Sequence, residues 1–440
     1  MKITVAGTGY VGLVTGVCLA EIGHNVTCYD IEESKIEMLK NGKSPIYEPG
    51  IEELINKNLQ NGNLYFTNDP ANAYSKADFI FIAVGTPEKE DGSANLSYVE
   101  QTALTIAEYV RRSVVIVTKS TVPIGTNEWI KRVINESVSH EYQIDIVSNP
   151  EFLREGTAVY DSFHAERIVI GSDNHLVADR VEEIFAPFQV PILKTNLRSA
   201  ETIKYAANAF LATKISFINE VANFCEKTGA DIEDVAKGMG MDSRIGEKFL
   251  NAGIGFGGSC FPKDTKALQT VANEYDYHFR ILDSVIEVNN RQKKRLFQKA
   301  KELRIPLKEA TVAVLGLAFK PNTDDIREAP AIELIEDLLQ EHAKVRVYDP
   351  IALNHVYEKF GNAIVYFDSI DEAILDTDCV FITTEWNEIK KYPLENYQKY
   401  MRTPLVFDGR NCYSDSEARL NDIQYYSIGR ATHPLVKPES

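Results

Sequence analysis

One short segment combines a nucleophile with a lysine and an acid. Residues 255–264 read Gly-Phe-Gly-Gly-Ser-Cys-Phe-Pro-Lys-Asp, so that three glycines precede Cys260 while Lys263 and Asp264 follow it. Glycines leave the backbone bare and let a ligand approach closely. A nearby lysine favours the thiolate, the nucleophilic form of cysteine. The segment therefore predicts a covalent catalytic site at Cys260, and a flexible loop with an incidental cysteine is the alternative.

A glycine fingerprint stands near the amino terminus. Residues 7–12 read Gly-Thr-Gly-Tyr-Val-Gly, follow the predicted strand Lys2–Ala6 and open a predicted helix, and Asp30 comes 18 residues after the last glycine. A pyrophosphate could approach the helix N-terminus there, and Asp30 could accept hydrogen bonds from a ribose diol. Because Asp30 would repel a 2′-phosphate, the pattern predicts NAD rather than NADP; a glycine turn without a ligand is the alternative. The cofactor-binding residues that this fingerprint predicts are Gly7, Gly9, Gly12 and Asp30.

Three further polar segments follow predicted strands. They read Val-Gly-Thr-Pro, Lys-Ser-Thr-Val-Pro and Asn-Pro-Glu-Phe-Leu-Arg-Glu-Gly. Ligands of open α/β sheets bind beyond the carboxyl ends of the strands. Four side chains are therefore predicted on one edge of the sheet: Thr86, Thr121, Glu151 and Glu155. For the two glutamates, charge complementarity to a helix N-terminus is the alternative role.

A long helix is predicted in the middle of the chain. No glycine or proline interrupts Ser199–Lys227, and apolar residues recur there at helical spacing. Such a helix could pack on both flanking domains and on a second subunit. Lys204 and Asn208 would share one face of it, where a partly buried lysine could stabilise an oxyanion. Taken alone, Lys204 is more typical of a surface lysine.

Strand and helix patterns alternate at both ends of the chain. A second α/β pattern begins near Thr311, with one glycine, Gly316, in place of a full fingerprint. We expect an α/β fold of two doubly wound Rossmann-like domains, joined by a long central helix and a helical middle region. The predicted domains are residues 1–195, which bind NAD, residues 196–305, the helical region, and residues 306–440, the second Rossmann-like domain. Pro434–Ser440 is expected to be a frayed tail.

Composition excludes several classes of function. The chain has 440 residues, with 47 Lys and Arg against 64 Asp and Glu, for a net charge of −17. A chain this acidic is not expected to bind nucleic acid or an anionic membrane as its main task. No apolar run reaches the roughly 18 residues that span a bilayer, and glycines interrupt the apolar amino terminus, so that we expect a cytoplasmic protein. Without a CxxC or HExxH pattern, no metal is expected.

The motifs together carry a family resemblance. They are GTGYVG at 7–12, STVPIGT at 120–126, NPEFLREG at 149–156, GFGGSCFPKD at 255–264 and AFKPNTDDIRE at 318–328. From Lys2 to about Gly429 the sequence resembles the UDP-glucose 6-dehydrogenases. These NAD-dependent nucleotide-sugar dehydrogenases oxidise an alcohol to a carboxylate in two hydride transfers. The resemblance implies NAD as cofactor, UDP-glucose as substrate, a C-terminal domain that binds the UDP-sugar, and a homodimer.

The resemblance also implies catalytic roles. A thiolate would hold the C6 aldehyde as a thiohemiacetal and then as a thioester, which water hydrolyses. The implied catalytic residues are Cys260 as nucleophile, Lys204 and Asn208 at the alkoxide oxygen, Asp264 and Thr121 at the catalytic water, and Glu151 as general acid or base.

The same resemblance implies two sets of binding residues. The cofactor contacts would include Tyr10, Val11, Asp30, Lys35, Thr86, Thr121, Glu155, Lys263 and Arg327. The substrate pocket would be lined by Glu151, Phe152, Leu153, Arg154, Glu155, Lys204, Asn208, Phe249, Leu250, Asn251, Ala252, Gly253, Gly257, Lys320 and Arg410. Arg244 would reach the site of the neighbouring subunit.

Other functions remain as alternatives. A GDP-mannose 6-dehydrogenase shares the cysteine and the lysine, but the stretch from Gly255 to Leu268 favours the UDP-glucose branch. UDP-N-acetylhexosamine dehydrogenases typically carry histidine where Ser259 stands. A non-catalytic NAD sensor would need neither Cys260 nor Lys204. An epimerase or single-step reductase would need a YxxxK pair, which Tyr205–Asn208 does not offer.

Overall fold

The computed structural model describes residues 1–138 and 142–431. These form two compact units. The N-terminal unit comprises residues 1–207 and 270–277, and the C-terminal unit comprises residues 208–269 and those from 278 onward. The boundary at residue 208 falls inside one continuous helix, Leu197–Thr228. The predicted frayed tail, Pro434–Ser440, lies outside the described residues.

The N-terminal unit is built on one twisted sheet. Its described strands lie in the order β3-β2-β1-β4-β5-β6-β7-β8. Every neighbouring pair is parallel except β6 and β7, which pair antiparallel through Ser148 and Gly171. The strands are β1 (Lys2–Ala6), β2 (Asn25–Tyr29), β3 (Leu64–Thr67), β4 (Phe79–Ile82), β5 (Val114–Thr118), β6 (Ile144–Ser148), β7 (Ile168–Gly171) and β8 (Ile192–Thr195).

Helices cover both faces of this sheet. Alternate residues of β4 enter different cores: Phe79 and Phe81 pack with α1, α3 and α8, whereas Ile80 and Ile82 pack with α5 and α6. That alternation is the period of a strand that is buried on both faces. The helices are α1 (Tyr10–Glu21), α2 (Glu33–Lys40), α3 (Ile51–Asn61), α4 (Pro70–Tyr74), α5 (Ser97–Tyr109), α6 (Thr126–Ser137), α7 (Ala158–Phe163) and α8 (His175–Phe185).

A helical stretch follows the first sheet. It agrees with the predicted helical region, although the non-helical segment around the glycine loop extends from Met241 to Cys260. The helices are α9 (Leu197–Thr228), α10 (Ile232–Gly240), α11 (Phe261–Glu274), α12 (Arg280–Lys293) and α13 (Arg295–Glu302).

The C-terminal unit has its own parallel sheet. Its described strands lie in the order β11-β10-β9-β12-β13-β14 around a single apolar core. The strands are β9 (Thr311–Leu315), β10 (Lys344–Tyr348), β11 (Val365–Phe367), β12 (Cys379–Ile382), β13 (Leu405–Asp408) and β14 (Gln424–Tyr426). The helices around it are α14 (Pro330–Gln340), α15 (Leu353–Phe360), α16 (Ile370–Ile374), α17 (Asn387–Lys390), α18 (Leu394–Tyr400) and α19 (Asp415–Leu420).

The predicted fold class is confirmed, since two parallel Rossmann-like sheets and a long central helix are present. For the strand that the apolar run Asp78–Val84 predicts, the structure gives the shorter range Phe79–Ile82. The predicted boundaries after residues 195 and 305 stay predictions. In the part of the chain that the structure describes, no helix is both long and apolar enough to cross a membrane.

Candidate active site

A cavity lies at the carboxyl ends of β1 and β4 in the N-terminal unit. It has a volume of about 340 Å³, and its lining includes Gly7, Gly9, Asp30 and Lys35. Strand order reverses between β1 and β4, which is where doubly wound sheets bind their ligands. Four residues predicted from the sequence to bind the cofactor therefore line one cavity.

The three glycines of the fingerprint have different reasons to be glycine. Gly7 has a φ of +97°, and a Cβ there would lie 2.8 Å from the carbonyl oxygen of Ala83. A Cβ on Gly12 would lie 2.0 Å from the carbonyl oxygen of Gly7, so that α1 packs directly on the turn. A Cβ on Gly9 would meet nothing within 4 Å. Gly9 thus borders open space at the N-terminus of α1, as a bound pyrophosphate requires.

The acid at the end of β2 is half-buried beside this cavity. Asp30 Oδ2 accepts hydrogen bonds from the backbone N–H of Thr8 at 2.8 Å and from its hydroxyl at 2.7 Å. Lys35 forms an ion pair with Glu32 at 2.6 Å. The cavity, the open Gly9 and the carboxylate fit the adenosine half of a dinucleotide.

The fingerprint tyrosine is tied to a second loop. The Tyr10 hydroxyl donates to the buried carboxylate of Glu48. Glu48 also accepts hydrogen bonds from the backbone N–H groups of Gly156 at 2.8 Å and Val159 at 3.1 Å. Burial raises the pKa of Glu48, although these N–H groups act in the opposite direction. The contact links the turn at 7–12 to the loop that carries Glu155.

The polar segments after β4, β5 and β6 meet at one edge of the sheet, as predicted. The hydroxyl of Thr86 donates to the carbonyl oxygen of Thr121 at 2.9 Å. Glu151 Oε1 lies 2.7 Å from Lys204 Nζ, and Glu151 Oε2 accepts the N–H of Leu153 at 2.6 Å. Lys204 is 4% exposed and Glu151 5%, so that this is a buried ion pair. Lys204 is therefore not the surface lysine that its spacing alone suggested.

A second lysine, Lys119, forms a buried charged pocket together with Glu151 and Lys204. Lys119 Nζ donates to Asn149 Oδ1 at 3.1 Å. Burial lowers the pKa of Lys119 to about 8; the Glu151 carboxylate opposes this shift and the Lys204 ammonium adds to it. Burial alone would raise the pKa of Glu151, but the two lysines and the Leu153 N–H hold that pKa below its usual value. Glu151 is therefore a carboxylate, and hence a proton acceptor, at neutral pH, because its pairing with the lysines and the N–H outweighs its burial.

The next residues of the NPEFLREG loop have separate partners. Arg167 stacks on the Phe152 ring at 3.7 Å from the centroid, and Lys204 Nζ lies 5.5 Å from it. Arg154 is exposed and forms an ion pair with Asp161 at 2.5 Å. Phe152 thus packs within the charged pocket, whereas Arg154 braces the loop against α7.

The glycine loop with the nucleophile candidate belongs to the C-terminal unit. Cys260 is half-buried, and its Sγ lies 3.5 Å from Ser259 Oγ, directly before α11. On the first turn of α11, Asp264 Oδ1 accepts from Lys263 Nζ at 2.6 Å. Asp264 Oδ2 accepts from Asn208 Nδ2 at 2.7 Å, and this acid is 1% exposed. The structure thus brings Asn208, Lys263 and Asp264 together.

The loop packs closely against the segment that ends in Glu328. The N–H of Gly258 donates to the carbonyl oxygen of Arg327 at 2.8 Å. A Cβ on Gly257 would lie 2.2 Å from the carbonyl oxygen of Glu328. Lys293, which is buried on α12, holds Glu328 through an ion pair of 2.5 Å. Gly257 is therefore required for backbone packing within this unit.

Arg410 follows β13, and its guanidinium contacts backbone carbonyl oxygens of three loops. Its Nε donates to the carbonyl oxygen of Thr383 at 2.9 Å and its Nη1 to that of Gly255 at 3.2 Å. Its Nη2 lies 3.4 Å from the carbonyl oxygen of Phe319. The guanidinium thus holds the glycine loop in addition to any contact with a ligand.

The other predicted substrate residues of the C-terminal unit differ in exposure. Phe249 has a φ of +66°, and its ring centroid lies 6.3 Å from that of Phe261. Lys320 Nζ lies 5.5 Å from the Phe319 centroid. Arg244 has an 87% exposed side chain and forms an ion pair with Asp242 at 2.5 Å. The Arg244 guanidinium is therefore open to solvent, and its contact with a neighbouring subunit stays a prediction. Among the remaining members of the set, Leu250 and Gly253 are buried, Ala252 is half-buried and Asn251 is exposed.

Several polar residues of these two regions were missed by the sequence analysis. Lys119 and Glu328 stand inside quoted motifs, but no role was predicted for them, and the other missed residues lie outside the motifs. For the amides on α9 and α12, such as Asn289 and Gln292, helical spacing is the available signal. The missed residues are Glu48, Lys119, Asn219, Asn289, Gln292, Lys293 and Glu328.

Three family models match the chain in succession. They describe the NAD binding domain (residues 1–189), the central domain (198–291) and the UDP binding domain (313–415) of the UDP-glucose/GDP-mannose dehydrogenase family. The chain belongs to this family. It is an NAD-dependent enzyme, and the predicted cofactor is confirmed by the NAD binding domain, which contains the cavity at Gly9 and Asp30.

Sequence similarity to UDP-glucose 6-dehydrogenases extends over nearly the whole length of the chain. It is 55% identical to the UDP-glucose 6-dehydrogenase YwqF of Bacillus subtilis over 430 residues, 98% of each protein. It is 51% identical to UDP-glucose 6-dehydrogenase TuaD of the same organism, over 98% of this chain and 93% of TuaD. A UDP-glucose dehydrogenase structure from Pyrobaculum islandicum superposes with a TM-score of 0.92 at 38% identity, covering 98% of both chains. The resemblance stated from the motifs is thereby confirmed.

Proposed function

We propose that this enzyme oxidises the C6 alcohol of UDP-glucose to a carboxylate in two NAD-dependent steps, with Cys260 holding the intermediate covalently. The observation that carries the proposal is the half-buried Cys260 at the end of an anchored glycine loop, next to the bonded pair Asn208–Asp264. A dehydrogenase that stops after one oxidation has no use for a thiol in that position. The similarity to UDP-glucose 6-dehydrogenases supports the choice of sugar.

The covalent step would use the thiolate of Cys260. When bound, NAD accepts the hydride in each of the two oxidations. The thiolate sulfur forms a bond to the aldehyde carbon, the carbonyl π pair moves onto oxygen, and the resulting alkoxide needs a donor. The Lys204 ammonium and the Asn208 amide, one helical turn apart on α9, are our candidates for that donor. Loss of hydride then leaves a thioester, which retains the carbonyl carbon until hydrolysis.

Hydrolysis of the thioester needs a base for water. Glu151 is kept ionised by Lys204 and Lys119, so that it starts as a proton acceptor at neutral pH. Water oxygen bonds to the carbonyl carbon, its proton passes to the carboxylate, and the C–S bond breaks to return the thiolate. We assign Thr121 and Asp264 to holding that water, and Glu151 to the proton.

We also propose a homodimer. Phe210, Phe217 and Phe224 recur every seven residues on α9, and their exposures are 66%, 53% and 65%. Residues seven apart lie on one helical face, and an exposed aromatic stripe of this kind is typical of an interface. Sedimentation of a Phe217→Glu variant should give a monomer, while the wild-type chain sediments as a dimer; an unchanged mass would rule out this face.

The test of the proposed reaction is the amount of NADH formed per sugar consumed. With excess NAD, UDP-glucose should give two NADH, and GDP-mannose and UDP-N-acetylglucosamine should give little. One NADH would mean that the aldehyde leaves and that Cys260 does not act as proposed. Two NADH from GDP-mannose alone would keep the chemistry and change the sugar.

The matched variant is Cys260→Ser. A serine hydroxyl is a poor nucleophile near neutral pH, so that turnover to the carboxylate should stop while NAD binding is unchanged. Full activity of this variant would contradict the thioester.

A further inference from the structure

We propose that Asn289, with Gln292 and Asn219, is a positioning residue that places the Cys260 thiol by clasping the backbone of the glycine loop. None of these three amides belongs to a sequence motif, and all three are buried. They come from two helices of the C-terminal unit, α9 and α12. The inference rests on the proposed function only in that it assigns the nucleophile to Cys260.

The first anchor is the peptide at Gly253. Its N–H donates to Asn219 Oδ1 at 2.8 Å, and its carbonyl oxygen accepts from Gln292 Nε2 at 2.6 Å. Gln292 is itself oriented, because its Oε1 accepts from Asn223 Nδ2 at 2.8 Å. Both hydrogen-bonding groups of one loop residue are therefore satisfied by amides from different helices.

The second anchor is Phe256. Asn289 Oδ1 accepts the Phe256 N–H at 2.9 Å, and Asn289 Nδ2 donates to the Phe256 carbonyl at 3.0 Å. A side-chain amide carries a donor and an acceptor side by side, so that it satisfies an N–H and a carbonyl of the same residue without bringing in a charge. Gly255 must be bare for this contact, since a Cβ there would lie 2.7 Å from Asn289 Oδ1.

The anchors leave little freedom between the clasp and the thiol. After Phe256 the next fixed group is the Gly258 N–H on Arg327, and Cys260 follows two residues later, where its carbonyl accepts the Asp264 N–H at 2.8 Å. Glycine-rich loops are otherwise the most mobile kind of segment. The hydrogen bonds of the three amides therefore restrict a loop that contains three glycines, so that the Cys260 thiol stays within reach of one carbon atom of the substrate. Because amides do not titrate, their hold on the loop is independent of pH.

The test compares two neighbouring asparagines of α12. Asn289→Asp keeps the shape but replaces the donor to the Phe256 carbonyl by an oxygen, whereas Asn290→Asp makes the same change on an exposed residue. We expect Asn289→Asp to lower kcat on the order of 10²-fold, as misplacement by about 1 Å does, with an unchanged KM for NAD. Alkylation of Cys260 by iodoacetamide, followed by mass spectrometry, should become several-fold faster as the half-buried thiol gains access. Asn290→Asp should match the wild type in both measurements.

Global unfolding would also expose the thiol, so that the alkylation rate separates positioning from stability only among variants that are fully folded under the assay conditions. Each variant is therefore checked for cooperative unfolding and NAD binding first. If Asn289→Asp does not fold, Gln292→Met, which removes the donor to Gly253, carries the same expectation. An alkylation rate that stays constant or falls overturns the inference, whatever happens to kcat. If wild-type enzyme yields one NADH per UDP-glucose, the proposed function fails, and the alkylation comparison still decides the clasp.

Discussion

The two Rossmann-like sheets have the same strand order at their centres and put it to different uses. In the N-terminal unit β2-β1-β4 are neighbours, and in the C-terminal unit β10-β9-β12 are. The strands β2 and β10 are each followed directly by an aspartate, Asp30 and Asp349. The strands β1 and β9 are each followed by a glycine with positive φ, Gly7 at +97° and Gly316 at +85°.

The two aspartates differ in what they bond. Asp30 is half-buried, accepts from Thr8 and lines a cavity of about 340 Å³. Asp349 is 1% exposed and is surrounded by donors of its own unit. Those donors are the N–H groups of Leu317, Ala318, Ile351 and Ala352 and the indole of Trp386.

Strand order alone therefore does not make a dinucleotide site. A carboxylate that already accepts five hydrogen bonds has no capacity for a ribose diol. Other groups of the C-terminal unit must therefore contact its ligand. The candidates are the glycine loop and Arg410, which a hydrogen bond holds together. The same position accepts internal hydrogen bonds in one unit and borders a cavity in the other.

The largest expected effect is on folding. Asp349→Ala leaves four backbone N–H groups and a buried indole without their acceptor and should cost about 5 kcal/mol in the free energy of unfolding. Asp30→Ala should cost about 1 kcal/mol and mainly raise the KM for NAD. Urea unfolding and NAD titration measure both. Equal destabilisation by the two substitutions would break the comparison.

The second-largest effect on stability is expected for a substitution in the charged pocket of the N-terminal unit. Lys204→Met removes the main partner of a buried carboxylate and should cost about 3–5 kcal/mol at pH 7. In the wild type the pKa of Glu151 is lowered, so that its contribution is present above the unfolded-state pKa near 4.3 and is lost as pH falls through the folded-state value. In Lys204→Met the pKa of Glu151 should rise, and acidification from pH 7 to 5 should stabilise the variant. Urea unfolding of the wild type and of Lys204→Met between pH 7 and 5 measures this difference.

Substitutions of two fingerprint glycines should separate effects on stability from effects on NAD binding. Gly9→Ala places a methyl group in open space, so that the fold should be retained while the affinity for NAD falls about 10–100-fold. Gly12→Ala drives a methyl group against the Gly7 carbonyl and should destabilise the N-terminal unit itself. Thermal unfolding and NAD titration distinguish the two. Normal NAD affinity in Gly9→Ala would show that the pyrophosphate lies elsewhere.

The smallest expected effect concerns Lys119. Its pKa of about 8 in the folded chain is below the value near 10.4 of an unfolded lysine. The unfolded chain therefore binds more protons between those values, so that stability from this residue rises with pH across the window. Relative to Lys119→Met, wild type should gain about 1–2 kcal/mol between pH 8 and 10. A constant difference would mean that Lys119 is not desolvated.

Local patterns predicted the parts of the fold that depend on neighbours in sequence. Strands such as Val114–Thr118 are continuous apolar runs, and α9 was visible from its unbroken helical spacing. The missed strands have three or four residues, too few for a period, and are defined only by their pairing. They are β3, β8, β11, β13 and β14.

The kind of chemistry follows from local patterns in the amino-acid sequence. A glycine fingerprint with Asp30 and a glycine loop with Cys260 are local requirements, since positive φ and close approach arise within one turn. Only the tertiary structure decided which polar groups are buried and paired. Lys204 meets Glu151 across 53 residues, and Gln292 meets Gly253 across 39. The physical reason is that desolvation and pairing depend on what lies across the space, and no spacing along one helix records that.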